Sequence, residues 1–200
     1  MELSKYIACI CEGSAERSVI KLLLDNNQLI FTWDDLLEGD ILRCRNAEKF
    51  EEKYLRKGFT EKITVLRILD SRRENFKLSK AYAGKIKVIN VITAPEIEML
   101  VIFAEGRYEE YKKSKKKPSI FCKEDLKLSD VKSSKFVESY FSNVEDLVSA
   151  IFKYRQVSDI KKGENVLADL IKQKVKNQLR KFKKTASLTS IYAPFSARHK

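Results

Sequence analysis

Histidine is nearly missing from this 200-residue chain; the single one, His199, stands next to the last residue. A histidine-dependent catalytic triad and a multi-histidine metal site are thereby excluded. Long apolar runs are missing too: the longest are strand-sized and flanked by charge, too short to span a bilayer. The opening MELSKYIACICEG lacks the basic-then-apolar layout of a secretory signal, so a cytoplasmic location is the expectation. Cysteine is sparse, at Cys9, Cys11, Cys44 and Cys122, with no spacing that builds a zinc site. Cys9 and Cys11 are expected on opposite faces of one strand, as buried free thiols. There is no internal repeat and no long low-complexity linker.

What the chain does have is positive charge in one half. Residues 1–100 hold 17 Lys and Arg against 16 Asp and Glu, whereas residues 101–200 hold 23 against 12, so nearly all of the net +12 lies in the second half. Such a field suits a polyanionic partner, nucleic acid first. Simple solvation of a charged face is the competing reading.

Three apolar runs have strand character: YIACIC (6–11), KITVLRILD (62–70) and KIKVINVIT (85–93). The first is followed by AERSVIKLLLDNNQLI, which places Val19, Ile20, Leu22, Leu23 and Leu24 on a helical stripe that stops at Asn26-Asn27. Residues 33–42 read as a loop or short helix, and 46–57 as a helix capped by Asn46. After the third strand, Pro95 sits at a first helical position. Recurrent strand–helix alternation predicts an α/β domain over 1–112, with a mainly parallel sheet flanked by helices. Residues 113–200 read as a basic, mostly helical extension packing on it. Helices are expected at SKFVESYFS, at 143–156 and at 165–184, the last with Leu167, Leu170, Ile171, Val175, Leu179 and Phe182 on one stripe.

Each strand ends in acid: Glu12 and Glu16 after the first, Asp70 at the end of the second, Glu96 and Glu98 after the third. The carboxyl ends of parallel strands form the rim where ligands bind. Carboxylates converging there would make a hard-oxygen site for Mg²⁺ or Mn²⁺, able to position a phosphodiester. The same residues are also read as first-turn acids favoured by the helix dipole, and Asp70 as a surface partner of Arg72 or Arg73. Glu96 is preferred narrowly over Glu98 as the third-strand ligand.

The ICEGSAE segment resembles the strand–Glu–Gly–x–x–Glu opening of Toprim domains, and ITVLRILD resembles their second acidic strand. VINVITAPEIEMLVIFAEGRYEEY is similar to the Asn-Pro-x-Phe-Glu-type segment of the RloB-like and OLD-type nuclease group of prokaryotic defence proteins. The resemblance covers about residues 5–112. It implies a metal-dependent nuclease or nucleic-acid-processing protein of anti-phage defence, with Glu12 and Asp70 catalytic. Glu12, Glu16, Asp70 and Glu96 would hold Mg²⁺ or Mn²⁺, and Gly13 would permit the tight turn. Toprim enzymes end the second strand with Asp-x-Asp, whereas this chain has Asp70-Ser71-Arg72. That departure keeps a second implication open: a catalytically degenerate module that binds nucleic acid, or a partner protein of the same system, as a regulatory subunit.

Phosphate contacts are expected from Arg72 and Arg73, from the acid-free run Lys112, Lys113, Lys115, Lys116 and Lys117, and from Lys176, Arg180, Lys183 and Lys184. Tyr108, Tyr111, Tyr154 and Tyr192 are read either as base-stacking rings or as edges of the core.

Overall fold

The three apolar runs that end in acid become the three long strands of one sheet. The computed structural model describes residues 1–56, 61–72, 75–93 and 97–178. Strands β1 (Tyr6–Cys11), β2 (Ile63–Leu69), β3 (Ile86–Ile92) and the short β4 (Asn165–Val166) run parallel, in the order β1-β2-β3-β4. Cys9 lies beside Leu66, and Leu66 beside Ile89. The helices are α1 (Ser14–Asp25), α2 (Ala47–Phe50), α3 (Lys80–Ala83), α4 (Glu98–Ala104), α5 (Tyr108–Ser114), α6 (Pro118–Glu124), α7 (Ser134–Tyr140), α8 (Val144–Val157) and α9 (Leu167–Leu170). The protein is thus an α/β fold with a four-stranded parallel sheet flanked by helices.

Every residue of β2 is buried, as a central parallel strand covered on both sides requires. The pleat sends alternate side chains to opposite faces. On one face Ile7, Cys9, Cys11, Leu66, Ile68, Ile89 and Val91 join a cluster with α1, α4, α8 and α9. On the other, Ala8, Ile10 and Val65 pack with Leu42, Ala47, Phe50, Leu55 and Leu78. Cys9 and Cys11 share the first face, because residues two apart in a strand point the same way; the expectation of opposite faces is corrected. Both are buried free thiols, and burial with the neighbouring Cys9 thiol pushes the Cys11 thiol well up.

Asn46 caps α2 as expected, its side chain accepting from the Glu48 and Lys49 amides at 2.8 and 3.2 Å. The helix then runs on as one π turn over Glu51–Leu55.

Two stretches differ from expectation. The run YKKSKKKPS (111–119), whose clustered lysines read as a basic break between helices, is mostly helical, since α5 and α6 flank a break reduced to Lys115–Lys117. Lys115 takes the left-handed conformation that ends α5 (φ 54°), and Pro118 opens α6 at a first-turn position. The amphipathic stripe from 165 is not one helix: Asn165 and Val166 pair with Val91 and Ile92 as β4, α9 is a single turn, and Ile171 bridges to Leu29. Leu167, Leu170 and Ile171 go into the main core. Edge pairing and burial outweigh helical periodicity here. Residues 113–178 therefore feed the same core as 1–112. Among the described residues no helix is long and apolar enough to cross a membrane.

Candidate functional site

Glu12 follows β1 directly and its side chain is only 5 % exposed. On the adjacent strand Arg67, 1 % exposed, directs Nη2 to within 3.4 Å of Glu12 Oε1. The pairing follows from register. Arg67 sits beside Ile10, and Glu12, two residues further on, returns to the same face of the sheet. The other side of the guanidinium lies 4.8 Å from the centroid of the Phe76 ring. A guanidinium inside a buried strand requires a counter-charge, and Glu12 supplies one.

Glu16 works on the opposite side of the sheet, where α1 packs. Its carboxylate folds back over Gly13 so closely that a Cβ there would overlap Oε2. Gly13 has an ordinary extended backbone (φ −98°), so glycine serves the close approach of this carboxylate and not a tight turn. Burial raises the Glu16 carboxyl above its usual range. Its own backbone amide opposes this, nearby Asp70 adds to it, and Lys132 and Arg45 offset part of it. Asp70 is exposed at the end of β2 and makes no hydrogen bond or ion pair with the described residues.

Glu98, fully buried at the start of α4, lies 3.0 Å from the Lys132 ammonium. The turn carrying Lys132 is tied to α1 by two hydroxyls. Ser14 donates to the Lys132 carbonyl (3.2 Å), and Ser134 donates to the Ser14 carbonyl (3.3 Å). Lys132 is thereby held where it acts on both Glu98 and Glu16.

Arg72 turns away from Asp70. It makes a two-pronged ion pair with Glu164 at 2.6 and 3.1 Å and donates to the Asp159 carbonyl at 2.9 Å. Glu164 is accordingly pulled down to about 2, by Arg72 first and then by the Lys161 amide. The surface pairing of Asp70 with Arg72, one of the alternatives open in the sequence, is not formed.

The rim thus divides its acids. Glu12 answers Arg67 on one face, while Glu16, on the other, feels the charges of Asp70 and Lys132. Among the described residues no group of three or more His, Cys, Asp or Glu side chains is placed to hold a metal ion. With Glu12 and Glu98 each facing a cation, the described donors do not fit a ready-made Mg²⁺ or Mn²⁺ site. Glu96 and Arg73 lie outside the described residues, as do Arg180, Lys183 and Lys184.

Of the acid-free lysine run, Lys112, Lys113, Lys115 and Lys117 are exposed. Lys116 turns inward, with Nζ 3.1 Å from Glu124 and 2.6 Å from Asp125. Lys176 is half-buried in the last described helical residues. The tyrosines serve the core edge: Tyr108 stacks on Phe103 at 4.6 Å, Tyr154 lies 5.9 Å from the same ring, and Tyr111 meets Phe121 edge-on at 5.5 Å. Tyr192 lies outside the described residues.

Sequence reasoning passed over Arg67 and Lys132, and ranked Glu98 behind Glu96. One signal was available: an arginine inside the apolar run ITVLRIL has to find a buried acid. Lys132 carried none, because it reaches the rim only through the packing of its turn on α1. Set against known proteins, the chain matches no family model, no curated protein and no solved structure.

Proposed function

We propose that this chain is a nucleic-acid-binding α/β module, Toprim-like in the order of its strand-end acids, that holds a phosphate backbone without metal and acts as a recognition or regulatory component. The carrying observation is the α5–α6 hairpin. Four exposed lysines, Lys112, Lys113, Lys115 and Lys117, follow one another in sequence; of the nearby acids Glu124 and Asp125 are taken up by Lys116 and Glu110 by Arg107, leaving Glu109 at the start of α5. Clustered cations of this kind bind phosphates without reading sequence. The division of the rim acids supports the non-catalytic form of the reading. A setting in prokaryotic defence rests on the sequence resemblance alone.

Binding of a labelled single-stranded RNA and a DNA duplex, followed by anisotropy in EDTA across a salt series, tests this. Replacing Lys112, Lys113, Lys115 and Lys117 by Gln should lower the slope of log K against log salt by about 3, at roughly 0.7–0.9 per lost phosphate contact. No salt-dependent binding by the wild type would sink the proposal.

A metal-dependent nuclease is the second reading, and one observation favours it: Asp70 is exposed, lacks a partner among the described residues and raises Glu16. Cleavage of tRNA or plasmid DNA that requires Mn²⁺ and disappears in Asp70→Asn would establish it. Binding without cleavage, unchanged in that variant, would leave the first reading standing.

A further inference from the structure

A second basic surface lies beside the end of β1, away from the lysine run. Residues 41 and 42 extend the sheet past β1: the Leu42 amide donates to the Cys9 carbonyl (2.7 Å) and the Cys11 amide to the Leu42 carbonyl (3.1 Å). Between this segment, α1 and the π turn after α2 opens a groove of about 390 Å³ lined by Arg17, Arg43, Lys53 and Tyr54. Arg17 fixes its wall, donating to the Ile41 carbonyl and pairing with Asp40 at 2.8 Å, which also neutralises that acid.

Arg43, Arg45, Lys49 and Lys53 are exposed, and none makes an ion pair with the described residues. Of the acids interleaved with them, Glu51 accepts from the Ser79 amide at 2.5 Å and Glu52 faces Arg56 at 3.3 Å, which leaves Glu48 as the exposed acid beside Lys49. Lys49 and Lys53 stand one helical turn apart and both act on the Cys44 thiol, so their charges fall on one side. Lys53 rides over the Tyr54 ring at 5.0 Å and also feels Glu38. The depression at the opposite end of the sheet differs, since its Lys5 pairs with Glu61 (3.1 Å) and its Lys87 donates to the Glu2 carbonyl (3.0 Å).

We propose that this groove is a binding site for single-stranded nucleic acid, with Arg43, Lys49 and Lys53 meeting successive phosphates. The inference rests on the nucleic-acid-binding reading and adds the path of the strand. A basic groove with an aromatic ring beside it suits a single strand, whose backbone meets the cations while a base can stack on Tyr54.

The test is anisotropy of a fluorescein-labelled 20-nucleotide single-stranded RNA on the full chain, in EDTA over a salt series, with circular dichroism to verify folding. The groove variant Arg43→Gln/Lys49→Gln/Lys53→Gln should bind at least tenfold more weakly and lose about 2 from the salt slope, at roughly 0.7 per contact for single strands. A control that removes three charges elsewhere, Lys62→Gln/Lys85→Gln/Lys87→Gln, should keep the wild-type slope. If the groove variant binds like wild type while the four-lysine hairpin variant fails, the groove is overturned and the functional reading stands. If groove and control variants weaken equally, the effect is net charge and the groove is overturned. If wild type ignores RNA but adsorbs to vesicles containing phosphatidylserine, both proposals fall in favour of a membrane surface.

Discussion

Arg67 and Glu12 form a buried ion pair across β1 and β2, with Arg67 Nη2 3.4 Å from Glu12 Oε1 and both side chains at most 5 % exposed. The residue that the Toprim resemblance casts as catalytic is therefore also the counter-charge of a guanidinium in the middle of the sheet.

Breaking that pair should cost stability. Glu12→Gln and Arg67→Met should each lower it by about 3 kcal/mol, because each removes one half of a buried ion pair. The double variant should lose less than the sum of the two, by about 1 kcal/mol or more. Urea denaturation of the four proteins measures the cycle. A purely catalytic Glu12 would instead leave the unfolding midpoint of Glu12→Gln where it is.

Gly13→Ala should be destabilising by about 1 kcal/mol or less, since its Cβ displaces only the far end of the Glu16 side chain and the backbone angles suit alanine. Glu16→Ala in the same chain should remove most of that loss. Thermal melts of the single and double variants decide it; an equal loss in both would mean that Gly13 serves some other purpose.

Glu16 predicts a pH dependence. Its carboxyl is raised in the folded protein, so folding binds a proton in the window between the unfolded and folded values. Stability from this group is therefore present below that window and declines as pH rises through it. Glu16→Gln should melt higher than wild type at pH 7, with the difference vanishing once pH falls below the ordinary carboxylate range. An equal gain at pH 7 and pH 3.5 would count against the raised carboxyl.

Lys132→Met withdraws the cation beside the fully buried Glu98. Lys132 is 55 % exposed, so screening reduces the loss to about 1–2 kcal/mol. Adding Glu98→Gln should recover most of it, read from the same melts. No recovery would show that Lys132 acts through packing of its turn on α1 instead.

Several features could be read without coordinates because their causes are local. The apolar runs at 6–11, 63–69 and 86–92 form strands because short runs rich in Ile, Val and Leu suit a pleated, covered surface, and their alternation with helical stretches implied a parallel sheet. The Asn46 cap depends only on neighbouring backbone. The acids at the three strand ends were visible for the same reason. Which of them meet was not visible. Register and pleat send Glu12 toward Arg67 and away from the side where Glu16 lies, and the packing of a turn 116 residues after Glu16 brings Lys132 to Glu98. Val166 and Leu167 likewise had helical periodicity, but the open edge of β3 and the core beneath it drew them into β4 and a single helical turn. Local propensity and pattern fix elements; long-range pairing and burial, which no short window contains, decide which charges become neighbours.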